Sequence, residues 1–595
     1  MRDDSSDLTR DLGGQWSALG TGWQALASDW SRWWTTAATR HGAAAAASAT
    51  SAVAGAGTPV AEALDHAQSV AALNARYQPR FQALWIAAQQ AMLHPQGGLP
   101  AIAESRSGDR RFLAPEWNAL PYFALLKQHY LLTSEYLREL AALAPLPASE
   151  KRRIDFMTRQ LIDAMAPSNF PATNPEVWKL AIESNGASLR SGIANILADA
   201  RKGRISMSDE AAFELGRNIA ITPGSVVYRN AVMELIQYAP TTARVHKRPL
   251  VISPPCINKY YILDLQPENS FVRWAVGEGH TVFMISWRNI PEPLGHLTWE
   301  DYVDQGVLTA LDVVRKIAKS STVNALGFCV GGAILACALA VLRARGDRTV
   351  ASASFLTTLL DYTDPGDIGV FVSPEFLSSR EPALMGGQRV KGGELATAFA
   401  SLRANELVWN YVVSNYLKGQ APPAFDLLYW NSDSSNLPGP MYVYYLRNMY
   451  IENRLREPGA LELLGEPVDL SRIDVPTYVY ASREDHIVPW HSAYATTALV
   501  SGDVVFTLGA SGHIAGVVNP PAKHKRSYWV NASIEKDPDR WLAGAEEKPG
   551  SWWSHWGAWL ARRGGGERAA PRKPGNAMFT PLLAAPGTYV KEVVA

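Results

Sequence analysis

Gly327-Phe328-Cys329-Val330-Gly331-Gly332 constrains this chain more than any other stretch. It follows the apolar run Val323-Asn324-Ala325-Leu326 and opens into Ala333-Ile334-Leu335-Ala336-Cys337-Ala338-Leu339-Ala340. The pattern reads as strand, sharp turn, helix. In that setting G-x-C-x-G is the sulfur counterpart of the G-x-S-x-G nucleophile elbow. The elbow residue sits in a strained backbone conformation, and glycines beside it let strand and helix approach closely enough to hold it there. Cys329 then lies at a helix N-terminus, where the dipole and free N–H groups favour a thiolate. Taken alone, the hexapeptide also fits a buried packing cysteine beside a glycine-rich turn.

Two downstream segments bear on that choice. Pro476-Thr477-Tyr478-Val479-Tyr480-Ala481 is a short apolar strand running into Ser482-Arg483-Glu484-Asp485. Val504-Val505-Phe506-Thr507-Leu508 is another, running into Gly509-Ala510-Ser511-Gly512-His513. The order nucleophile, acid, histidine, each at the C-terminal end of a strand, is that of the α/β-hydrolase fold and of neither chymotrypsin nor subtilisin. His513 is expected to take the thiol proton and later act as general base, with Asp485 fixing its tautomer. Singly, Asp485 is a turn carboxylate and His513 a loop imidazole; jointly, with Cys329, they read as a triad. Asp361, placed at the end of the strand 354–360, is the competing acid. His486, His491 and His296 lack a comparable setting, and Cys256 and Cys337 read as packing residues. The oxyanion donors are expected to be the backbone N–H groups of Val330 and Ile257, the latter on the loop after the strand 249–253.

The elbow resembles that of the polyhydroxyalkanoate synthases, class I in particular. So do Ile257-Asn258-Lys259-Tyr260-Tyr261-Ile262-Leu263-Asp264-Leu265, Arg483-Glu484-Asp485-His486-Ile487-Val488-Pro489-Trp490 and the run Ser511-Gly512-His513-Ile514-Ala515-Gly516-Val517-Val518-Asn519-Pro520-Pro521. The likeness covers about the C-terminal two thirds. It implies an acyltransferase that joins (R)-3-hydroxyacyl groups from coenzyme A thioesters, chiefly 3-hydroxybutyryl-CoA, into a polyester through a cysteine thioester. Cys329, Asp485 and His513 stand at the family's triad positions, while Ala333 departs from a threonine common in relatives. The resemblance further implies a homodimer, a growing polyester chain, granule-surface association in the cytoplasm, and coenzyme A thioester as substrate with no separate cofactor and no metal. A thioesterase or dienelactone-type hydrolase with the same Cys-His-Asp set is the alternative.

Residues 362–474 interrupt the core between strands and far exceed an ordinary connection. Their aromatic runs Leu427-Leu428-Tyr429-Trp430-Asn431 and Met441-Tyr442-Val443-Tyr444-Tyr445-Leu446 suggest a cap that keeps water from an activated thioester. Arg403, within this insertion, is a candidate for coenzyme A phosphates, though a solvated helix arginine is the plainer reading. The expected organisation is a helical N-terminal domain over 1–210, hydrolase core over 211–361, cap over 362–474, and core plus tail over 475–595.

The N-terminal third carries helical patterns at 61–93, 122–143 and 149–165 and no catalytic motif. Trp16, Leu19, Trp23, Leu26, Trp30 and Trp33 line one helical face, which suits a granule, a partner helix or granule-associated proteins as well as its own domain. The Ala-rich 41–57 reads as a linker or frayed helix. Trp552, Trp553, Trp556 and Trp559 repeat helical spacing near the C-terminus, followed by a Gly/Arg/Pro-rich 562–575 expected to be flexible. Formal net charge is zero, which gives no electrostatic case for nucleic acid. Three cysteines without paired spacing argue against a disulfide framework or zinc site. No signal peptide and no transmembrane run is expected, and the inferred location is cytoplasmic.

Overall fold

The computed structural model describes residues 57–94 and 98–593, so the tryptophan stripe of 16–33 and most of the Ala-rich stretch lie outside the described residues. The chain divides into two compact units. The first ends at Met207 and also takes Arg403–Pro423, while the second comprises Ser208–Leu402 and Ala424–Ala595. The 362–474 insertion is therefore not one body, because its middle belongs with the N-terminal helices.

In the first unit the helical patterns become α1 (Gly57–Leu93), α2 (Pro121–Ala142) and α3 (Ala148–Ala164). The helices α4 (Pro175–Glu183) and α5 (Ala187–Lys202) follow. Asn174 caps α4 by accepting from Glu176 and Val177 N–H. Leu73, Tyr77, Phe112, Trp117, Leu132 and Ile162 form the core. The excursion is pinned to α5 by Tyr416, whose hydroxyl donates to Asp199 at 2.8 Å, and by Asn195, which donates to the Asn415 carbonyl. Among the described residues no helix is long and apolar enough to cross a membrane.

The second unit is built on an eleven-stranded sheet. In chain order its strands are β1 (Gly224–Arg229), β2 (Met233–Tyr238), β3 (Leu250–Ser253), β4 (Val282–Trp287), β5 (Val323–Phe328) and β6 (Val350–Leu356). They continue with β7 (Thr477–Ser482), β8 (Val504–Gly509), β9 (Ser527–Val530), β10 (Glu546–Pro549) and β11 (Leu583–Ala584). The sheet runs β10-β9-β8-β7-β6-β5-β3-β4-β2-β1-β11. From β8 through β4 the pairs are parallel, and antiparallel pairs close both edges. Strands β3, β4, β5 and β7 are buried at every residue, because helices cover both faces of a parallel sheet and leave no wet side. This is the α/β-hydrolase architecture, with Cys329, Asp485 and His513 all following the C-terminal ends of parallel strands.

Two local expectations are corrected. The strand placed at 354–360 ends at Leu356, where Thr357 turns to a φ of 40° and donates its N–H to the Tyr480 carbonyl, so Asp361 is not at a strand end. Nor is 562–575 an unstructured tail. Glu567–Ala569 pairs antiparallel with Arg244–His246 in a separate two-stranded sheet.

Candidate active site

Cys329 sits between β5 and helix α6 (Val330–Ala344) with φ 53° and ψ −128°, a conformation that costs an L-residue strain. Its surroundings impose it. The Cys329 N–H donates to the Leu356 carbonyl at 3.0 Å, and its carbonyl accepts from Gly332 N–H and from the Thr358 hydroxyl. The glycines are steric necessities. A Cβ on Gly331 would collide with the carbonyl oxygens of Ser253 and Pro254, and one on Gly332 with the Thr358 side chain. Gly331→Ala forces the end of β3 to move, because backbone rather than a flexible side chain occupies the space. We expect a loss of about 1–3 kcal/mol, read as a lowered melting temperature, together with reduced turnover.

Asp485 follows β7 and is held on all sides. Its Oδ1 accepts the N–H groups of Ile487 and Val488, each at 2.9 Å, and its Oδ2 faces His513 Nδ1 at 2.7 Å. The carboxylate is fully buried and the imidazole nearly so. Cys329 acts electrostatically on the same imidazole, and the Phe328 ring stacks on it with centroids 5.8 Å apart. Burial opposes a charged His513. The Asp485 carboxylate foremost, with Cys329 beside it, overcomes that and raises the imidazole from 6.5 to about 10. A raised folded value makes this contribution to stability complete below pH 6.5 and lost as pH climbs through about 10.

His513 opens the short helix His513–Val517, which a tryptophan helix braces. From α7 (Trp552–Ala561), Trp552 donates to the Gly516 carbonyl at 3.0 Å and Trp553 to that of Val517 at 2.8 Å. The C-terminal tryptophan spacing therefore marks a buried support for the imidazole.

Val330 is buried at the first turn of α6, with its N–H at the helix N-terminus beside Cys329. Ile257 is half-buried on the loop after β3. Its carbonyl accepts from Ser435 N–H at 2.8 Å, and among the described residues its own N–H donates to no acceptor. Asp361 is taken up elsewhere, accepting from the N–H and hydroxyl of Thr363 and from Asn453. Arg403 lies in the first unit, exposed, with its carbonyl receiving Glu406 and Leu407 N–H. Cys256 and Cys337 are buried, and burial pushes both thiols up.

The comparisons with known proteins bear on what this arrangement belongs to. A family described as the N-terminus of poly-beta-hydroxybutyrate polymerase matches residues 108–275, and one described as the alpha/beta hydrolase fold matches 257–520. The poly(3-hydroxyalkanoate) polymerase subunit PhaC of Cupriavidus necator is 50% identical over 570 residues, covering 95% of this chain and 94% of that protein. The chain belongs to the class I polyhydroxyalkanoate synthases. The polymerase subunit of Rhizobium meliloti is 41% identical over 82% of this chain and 80% of its own length.

In this synthase the sequence reading missed three tyrosines that interact electrostatically with Cys329. Tyr362 and Tyr445 are buried and Tyr450 is half-buried, with ring centroids 4.9–6.2 Å apart. Burial raises all three phenols, so they stay neutral hydrogen-bond donors. Helix Gly439–Tyr445 continues as a π-helix over Leu446–Ile451. In that wider turn residues five apart align, which brings Tyr445 and Tyr450 to one side. The aromatic run 441–446 was visible, but an α-helical reading faces Tyr450 away.

Proposed function

We propose that this chain polymerises (R)-3-hydroxyacyl groups, chiefly 3-hydroxybutyryl, from their coenzyme A thioesters with Cys329 as nucleophile. The observation that carries the reading is His513, held by Asp485 at 2.7 Å and electrostatically linked to Cys329 at the strained elbow. His513 takes the thiol proton. Sulfur then attacks the thioester carbonyl while Val330 and Ile257 N–H groups stabilise the oxyanion. The coenzyme A carbon–sulfur bond breaks, and the proton leaves on the coenzyme A thiol. One thioester has replaced another at little free-energy cost, so the acyl group stays activated. In the second half, the 3-hydroxyl of another hydroxyacyl unit gives its proton to His513 and attacks the acyl-cysteine. An oxoester forms, the cysteine carbon–sulfur bond breaks, and sulfur recovers the proton.

Water would divert the acyl-enzyme to hydrolysis, so the site needs a dry roof. The buried Tyr362 and Tyr445, with the half-buried Tyr450 against them, suit that need, since neutral phenols offer a hydroxyl substrate hydrogen bonds without admitting bulk solvent. The names of the relatives at 50% and 41% identity support the polymerase chemistry. The reading carries with it a granule-bound polyester product and a homodimer. The deciding experiment is incubation with 3-hydroxybutyryl-CoA. Coenzyme A release with developing turbidity and an insoluble polyester is the expected result. Free 3-hydroxybutyrate alone would replace the reading with that of a cysteine thioesterase.

A further inference from the structure

The loop 254–259 carries Ile257 and is held from two directions. On one side the segment 430–436 grips its backbone. Trp430 Nε1 donates to the Lys259 carbonyl at 2.7 Å, Ser435 N–H donates to the Ile257 carbonyl, and Asn258 reaches the Asn431 carbonyl and the Ser434 hydroxyl. On the other side stands the Lys259 side chain, 1% exposed. Its ammonium donates to the carbonyls of Val590 and Glu592, at 3.2 and 2.5 Å, with Asp433 Oδ1 3.9 Å away.

Those two carbonyls belong to a C-terminal strap that is itself firmly seated. It begins at β11, paired with β1. Glu234, fully buried, then accepts the N–H groups of Thr588 and Tyr589 and the Thr588 hydroxyl. The Tyr589 ring packs under the Arg288 guanidinium at 4.7 Å, and its hydroxyl donates to the Asn230 carbonyl. Asn289 takes the Val593 carbonyl, and Arg288 pairs with Glu592 at 3.4 Å. A buried ammonium is costly, and packing alone is met as well by methionine. What lysine adds is several donors at the end of a long stem, able to hold two backbone carbonyls and so fix one loop against another.

We propose that Lys259 is a positioning residue for acyl transfer, fixing the Ile257 N–H over the elbow by locking its loop to the strap 588–593. The proposal rests on the polymerase reading and on Ile257 as an oxyanion donor. It makes a distinction between two reactions of the same sulfur. Acyl transfer builds an oxyanion and needs the donor, whereas alkylation by iodoacetamide displaces iodide and builds none.

The test uses the full chain, its Lys259→Met variant, a truncation after Tyr589, and the two changes combined. In Lys259→Met we expect coenzyme A release from 3-hydroxybutyryl-CoA to fall about 10–100-fold in kcat with KM within about twofold. Alkylation of Cys329 by iodoacetamide should proceed at the wild-type rate, because the Cys329–His513–Asp485 linkage is untouched. The truncation should reproduce the loss, and the combined variant should lose no more than about twofold beyond either, since both break one latch. Release and alkylation falling together would reduce Lys259 to a structural role and overturn the proposal, as would unchanged kcat or losses that multiply. A wild-type chain that releases no coenzyme A would instead remove the polymerase reading on which the proposal stands.

Discussion

Cys329→Ala releases no coenzyme A from 3-hydroxybutyryl-CoA above background and forms no polymer, a fall of about a million-fold or more in kcat. The size follows from what the substitution removes. Cys329 is the half-buried cysteine of the three, and the other two thiols are buried and pushed up by that burial, so neither substitutes as a nucleophile. Alanine keeps the Cβ and the elbow's hydrogen bonds, which are made by the Cys329 backbone rather than its sulfur. The variant should therefore fold, and its circular dichroism should match the parent. Mass spectrometry of the wild-type chain after a brief exposure to substrate should find the acyl group on the peptide carrying Cys329. Acyl label on another cysteine would overturn the assignment of the nucleophile.

Asp485→Asn lowers turnover by about 10,000-fold without unfolding the protein, and the structure says why the near-isosteric amide fails. The N–H groups of Ile487 and Val488 both point at Oδ1 and require an acceptor there. The amide oxygen must take that place, which turns the amide NH₂ toward His513 Nδ1. A donor facing Nδ1 forces the ring proton to Nε2, on the side of the thiol, and the imidazole can no longer accept the thiol proton. The His513 pKa moves as well. Loss of the carboxylate removes the leading influence that raises it, while burial continues to lower it, so it falls from about 10. Titration of the imidazole by NMR in both proteins reads this directly. A His513 pKa that stays near 10 in the variant would contradict the buried pair.

Much of this site was legible because its parts announce themselves locally. Gly327, Gly331 and Gly332 mark a close approach of strand and helix, and Asp485 and His513 follow apolar runs that can only be buried strands. The misplaced end of β6 has a plain cause. Leu359 and Leu360 are apolar and buried, but as part of the turn after Leu356 rather than as ladder residues. The ordering of 567–569 was hidden because its partner, Arg244–His246, lies more than three hundred residues earlier. Lys259 looked like any loop lysine, since its acceptors are main-chain carbonyls and carry no sequence signature. The departure of Arg403–Pro423 from its insertion depends on tertiary packing by Tyr416 and Asn415, which no local pattern encodes.

The widened turn at Leu446–Ile451 has a bearing on how kindred chains should be compared. Each residue of an ordinary helix rotates the chain by about 100°. A homologue one residue shorter between Tyr445 and Tyr450 would space the two phenols four apart, about 40° from one another on an ordinary helix, and so would keep them together without the widened turn. Gap placement in this stretch therefore carries more information than letter matches do.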